Sequence, residues 1–145
     1  MKVRQWSIGS RQLGKSERLA AVKEVRAPIE SHRDLIVWQK SMDLAVAAYR
    51  FTNSFPVDER YGLTSQIRRS CASIPANIAE GYGRESAGAY ALQLKIAQGS
   101  LKEFETHVEL AHRIGLVDEL TLSNILKNSE EVGKMLRSLI RAVER

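Results

Sequence analysis

Cysteine is nearly absent from this chain of 145 residues: there is one, Cys71, so no intrachain disulfide can form. That usage fits a reducing cytoplasm. Proline occurs three times, and the longest purely apolar runs are only a few residues. A bilayer span needs about 20 apolar residues, so none is expected and no membrane partner is implied. The first 27 residues are basic but lack an apolar central block, which excludes a secretory signal of the usual kind. Their arginines and few acids leave an amphipathic organelle-targeting segment as the alternative to a solvated appendage. Catalytic patterns are missing too. No serine stands in a nucleophile elbow, and Gly81-Tyr82-Gly83 has neither a preceding strand nor a Gly-Lys-Ser/Thr to make a phosphate loop. A helix stop beside a tyrosine explains it better.

What is present is apolar periodicity. Hydrophobic residues make up 43% of the chain, enough for one core. Asp34 is a plausible N-cap, and Leu35, Trp38, Met42, Ala45 and Tyr49 follow at spacings of 3, 4, 3 and 4. Phe55-Pro56 ends that helix. Asp58 is the next cap candidate, with Glu59 in the first turn, and Leu63, Ile67, Ser70 or Cys71, Ile74 and Ile78 form the second stripe. Pro75 lies inside it and should kink helix two, and Gly81 and Gly83 should stop it. Ser86 can cap a third helix with the stripe Tyr90, Leu94, Ala97, Leu101, Phe104, Val108 and Ala111, stopped by Gly115. Asp118 or Thr121 can cap a fourth, with Leu122, Ile125, Ser129, Val132, Leu136, Leu139 and Val143. Four such stripes joined by short turns predict an all-α, antiparallel up-and-down four-helix bundle spanning residues 32–145. Residues 1–31 lack a sustained stripe and are expected to form a basic, mobile or loosely docked extension.

Two further apolar sets exceed a four-helix core: Leu126, Met135 and Ile140 on helix four, and Leu92, Ile96 and Leu110 on helix three. They fit burial against another subunit, or a broad core-facing stripe. Charge is uneven. Residues 1–31 carry seven Lys/Arg against three Glu, net +4, whereas the rest has fifteen basic against fourteen acidic residues, net +1. The basicity therefore belongs mostly to the leader. Within the body, Arg68 and Arg69, with Arg60 and Arg84 at the two ends of helix two, are the candidate contacts. Arg60, Arg68 and Arg69 lack an acidic partner one turn away and suit phosphate or an acidic group of another chain. A solvated face, or pairing with Glu103 and Glu105, is the alternative. A di-iron bundle site would need two Glu-x-x-His motifs. Glu109 to His112 supplies one and no second exists, so no metal and no cofactor is expected. Cys71 lies among Ile67, Ile74 and Ile78 and reads as a core residue, and His32, His107 and His112 as surface or boundary residues.

The run Asp34 to Met42, Phe55-Pro56, Glu59-Arg60-Tyr61-Gly62-Leu63, Gln66, Arg68-Arg69-Ser70, the block Ser73 to Arg84, and Ile96 to Glu103 with Glu105-Thr106 together resemble the four-helix-bundle proteins named for 23S ribosomal RNA intervening sequences. The resemblance covers residues 33–145. It implies a non-enzymatic protomer that assembles into a homopentamer and acts on RNA or DNA, or on a nucleic-acid enzyme. A reverse transcriptase is the partner of the related accessory variability proteins of diversity-generating retroelements. A structural or protein-interaction module without nucleic acid is the other reading. Within the shared block, Pro75 kinks helix two, Asn77 can satisfy a freed backbone group, Glu80 can pair with Arg84 or a neighbour's arginine, Gly81 stops the helix, and Gly99 lets another helix approach closely.

Overall fold

The computed structural model describes residues 28–145. The expected extension therefore lies, over residues 1–27, outside the described residues. Four α-helices make up the body: α1 Ile36–Thr52, α2 Leu63–Tyr82, α3 Ala87–Arg113 and α4 Glu119–Glu144. Short 3-10 turns, His32–Asp34 and Val57–Glu59, precede α1 and α2. Successive helices are antiparallel neighbours, and α1 also packs on α4, which closes the four into a square. No strand occurs among the described residues. The expected up-and-down bundle is what forms.

Three of the four stripes are buried as the spacing predicts. Ile67, Cys71, Ile74 and Ile78 from α2 meet Tyr90, Leu94, Ala97, Leu101, Phe104, Val108 and Ala111 from α3, and α4 contributes Ile125, Val132, Leu136, Leu139 and Val143. Helix α1 departs from the expectation. It turns Val37, Ser41, Leu44, Ala48 and Thr52 inward with Ala45, and leaves Met42 and Tyr49 exposed. Its buried face is thus rotated by about one residue from the face with the largest side chains. Small and polar residues suffice inside because Ser41 and Thr52 donate to carbonyls of their own helix, Trp38 and Ala48. The surplus sets also divide. Ile140 on α4 is core, whereas Leu92, Ile96 and Leu110 on α3 are exposed.

The helix ends correct two expected caps. Asp34 does not cap α1. Its carboxylate accepts the amides of Glu30 and Ser31 at 2.9 and 3.0 Å and closes the turn before the helix. Those two bonds hold its pKa below the ordinary 3.8. Asp58 does not cap α2 either; Glu59 Oε2 accepts the amide of Leu63 at 2.9 Å. Ser86 caps α3 through the amide of Ala89 (3.1 Å), and Asp118, rather than Thr121, caps α4 through the amide of Thr121 (2.7 Å). Gly115, at φ 87°, ends α3, and the Leu116 amide reaches back to the Ala111 carbonyl. Of the two expected stops of α2, Gly81 lies inside the helix, which runs on to Tyr82, and Gly83 is the residue that ends it, its amide donating to the Ala79 carbonyl.

Candidate functional site

The four candidate arginines do not gather at one point. Arg68 is half-buried where the last turn of α1 meets the first turns of α2. Its Nε donates to Thr52 Oγ1 at 2.9 Å, and Nη2 donates to Asn53 Oδ1 at 3.1 Å and to the Tyr49 carbonyl at 3.4 Å. The guanidinium also lies 4.7 Å from the centroid of the Tyr49 ring. A cation at a helix C-terminus meets the negative end of the dipole, and over an aromatic face it gains from the ring quadrupole. Arg68 therefore staples α1 to α2. The partner missing from its own helix is supplied by the carbonyl end of the neighbouring one.

Arg69 is exposed and lines one groove with Arg68, Tyr49, Gln66, Ser73 and Glu103, and makes no ion pair or side-chain hydrogen bond among the described residues. Arg60 is likewise exposed, in the connection before α2 rather than on it. Arg84 sits just beyond the far end of α2 and pairs with Glu80 at 2.6 Å, as expected. Fifteen residues separate Arg84 from Arg69, about 22 Å along a helix. One ligand contacting all four would have to run the length of the bundle.

The shared motif residues have packing roles. Pro75 is buried within an unbroken helical run. The carbonyl it leaves without a donor is that of Cys71, one turn back. Asn77 does not serve that carbonyl; its Nδ2 donates to the Ser73 carbonyl at 2.7 Å. Ser73 in turn pairs with Ser100 across α2 and α3. At Gly81 a Cβ would stand 2.8 Å from Gln93 Cβ and 3.1 Å from the Tyr90 ring, so this glycine is what lets α2 and α3 cross closely. Gly99 differs: it is exposed, and a Cβ there would meet nothing within 4 Å.

The remaining chemistry is quiet. Burial pushes the Cys71 thiol up to about 12, which leaves it protonated and inert at neutral pH. His112 is fastened to the turn after α3, its Nδ1 2.7 Å from the Val117 carbonyl and its Nε2 3.5 Å from Glu119. His107 lies 3.5 Å from Glu103, and His32 packs edge-on against Trp38. No group of three or more His, Cys, Asp or Glu side chains that could hold a metal ion occurs among the described residues.

The feature that the α1 stripe concealed is an apolar groove along α1 and α2, lined by Met42, Ala45, Val46, Tyr49, Ala72 and Pro75. Met42, Val46 and Tyr49 are 38, 45 and 47% exposed. Ala72, Ser73 and Ala76 carry the surface across α2 towards Glu103 on α3, where Ile96 and Leu92 add further exposed apolar area. The signal was in the sequence: positions 42, 46 and 49 repeat at 4 and 3, as a second stripe would.

The profile of the 23S rRNA-intervening sequence proteins matches residues 33–138, most of the bundle. The chain belongs to that family. Among solved structures it is similar to a protein of unknown function from the S23 ribosomal protein family of Bacteroides thetaiotaomicron. The two share 32% identity over 72% of this chain and 97% of the other, with a TM-score of 0.64. No curated protein matches it. The family match spans the staple at Arg68, the close crossing at Gly81 and the open notch at Gly99. No helix among the described residues is long and apolar enough to cross a membrane.

Proposed function

We propose that this member of the family is a non-enzymatic, self-assembling bundle, a homopentamer by the family resemblance, whose assembled surface binds RNA or DNA or an enzyme that acts on them. The observation that carries assembly is the uncovered apolar surface on α1 and α3, set against an α4 whose outer face, Leu120 at its start apart, shows Lys127, Glu130, Glu131, Lys134, Arg137 and Arg141 to solvent. A monomer has no use for that asymmetry, and a protomer does. Nucleic-acid binding rests on the family, on the unpaired Arg60 and Arg69 among the described residues, and on a leader whose charge adds attraction without sequence specificity. Arg68, spent on the α1 terminus, is not the contact of choice.

Light scattering on the full chain at micromolar concentration tests assembly, and a monomer refutes it. Titration with a structured RNA at two salt concentrations tests binding. The expected result is affinity that falls with salt and falls further in Arg69→Ala with Arg60→Ala. Assembly without any salt-dependent affinity would favour the alternative, a purely structural or protein-interaction module.

A further inference from the structure

The exposed faces of α1 and α3 match each other level for level, and from this we infer that copies of the chain join head to tail, with Val46 of one copy set into the notch at Gly99 of the next and Arg50 paired with Glu103. The inference rests on the self-assembly reading and names the surface that carries it.

The register follows from two cross-helix contacts. Arg68 on α2 reaches Thr52 on α1 through its long side chain, which places those two positions within about one turn of the same level of the bundle. Ser73 on α2 bonds Ser100 on α3, which fixes a second level. Ser73 lies five residues, about 7.5 Å, beyond Arg68, and because α1 and α2 are antiparallel its level on α1 is about position 47. Helices α1 and α3 run parallel. Val46 and Gly99 are therefore each one residue below the common level. Arg50 and Glu103 are each three above it, about 4.5 Å. Met42 and Ile96 are five and four below, within about 2 Å of each other in height.

A rotation about an axis parallel to the bundle leaves these heights unchanged. It can bring α1 of one copy beside α3 of the next with all three pairs in step: a branched apolar knob facing a glycine, an arginine facing a glutamate, and two long apolar side chains facing each other. Val46 and Ile96 are 45 and 44% exposed, and nothing fills the space above Gly99. Arg50 is exposed and makes no ion pair among the described residues, where Glu103 pairs only with the half-buried His107. Helices that pack at about 8–10 Å between axes let an Arg–Glu pair of this kind close. The two patches differ, so the contact is heterologous, and repeating one rotation closes it into a ring.

Charge exchange and cross-linking test this on the full chain. Arg50→Glu and Glu103→Arg should each weaken assembly at least about tenfold in analytical ultracentrifugation, and the double variant should restore it. Val46→Cys and Gly99→Cys, each alone, should not cross-link under oxidation, whereas an equal mixture should give a covalent dimer and a chain carrying both should give a ladder. The buried Cys71 stays silent in this assay. Wild-type assembly with single-cysteine variants that cross-link on their own would overturn the head-to-tail contact, as would charge reversals without effect. Either result leaves assembly itself standing. A wild-type monomer overturns both readings.

Discussion

Replacing Gly81 with alanine sets two opposed effects against each other, and the structure says which wins. In a helix interior the change alone favours alanine by about 1 kcal/mol. Against it, the new Cβ would stand 2.8 Å from Gln93 Cβ, 3.1 Å from Tyr90 Cδ1 and 3.3 Å from the Tyr90 carbonyl oxygen. A Cβ and a carbonyl cannot swing aside as the end of a long side chain can, so α2 and α3 must part. Overpacking of this kind costs about 1–3 kcal/mol, and separating the helices also loosens the Tyr82–Tyr90 edge contact. The net expectation is a loss of up to about 2 kcal/mol, with each kcal/mol worth about 4 °C in Tm for a body of this size. Gly133→Ala is the matched control. Its Cβ would lie 3.4 Å from Leu101 Cδ2 and 3.5 Å from Arg137 Nη1, both flexible ends, so propensity should prevail and Tm should hold or rise. Thermal unfolding followed by circular dichroism reads both. A Gly81→Ala protein as stable as wild type would show that the crossing is not close, and would remove the packing role given to this glycine.

The neighbouring arginines should separate cleanly. Arg68→Ala should cost about 1–2 kcal/mol in urea unfolding, because it removes charge-assisted bonds to the α1 terminus, while the exposed Arg69→Ala should stay within about 0.5 kcal/mol. Equal effects would undo the staple. Asp118 has its pKa held below 3.8 by the bonds from Thr121, so its contribution is fully present above that value and is lost as pH falls through the lower folded one. Asp118→Asn keeps a cap without the charge, and its Tm should vary less than that of wild type between pH 4 and pH 2, roughly the carboxylate range. Cys71, buried and with its thiol raised to about 12, should resist alkylation at pH 8 and react only as fast as the chain unfolds. Rapid modification of the folded protein would contradict that burial.

Most of the bundle was legible because three helices bury the face that carries their largest apolar side chains. Tyr90 through Ala111 on α3 shows this best: all seven positions of the stripe are buried. The caps were harder to read. Asp34 and Asp58 are good capping residues by type, yet the helices begin two and five residues later, and a carboxylate closing a turn looks the same in sequence as one opening a helix. The arginines were legible as unpaired on their own helix. That Arg68 finds its partners in carbonyls and an aromatic ring of α1, rather than in acids, depends on where a neighbouring helix ends, which local spacing does not encode.

Helix α1 is the informative failure. Periodicity selects Trp38, Met42, Ala45 and Tyr49 because they are apolar, and the fold keeps Ala45 inside but buries Ser41, Leu44, Ala48 and Thr52 in place of Met42 and Tyr49. Burying one serine and one threonine while exposing a methionine, a valine and a tyrosine runs against the transfer free energies of those side chains, by about 25 cal/mol for each Å² of apolar surface left wet. Turning the helix by about one residue would cover that surface only by exposing Val37 and Leu44, which are now buried. The Arg68 staple and the packing of α1 on both α2 and α4 hold the observed orientation. A helix held with a second apolar face outward keeps that face for a second partner. The head-to-tail contact supplies one, and it predicts that Val46→Ser will leave the protomer's unfolding free energy within about 0.5 kcal/mol of wild type. The same substitution should lower the sedimentation coefficient at micromolar concentration. Loss of protomer stability without loss of assembly would mean that the outward face serves the bundle after all.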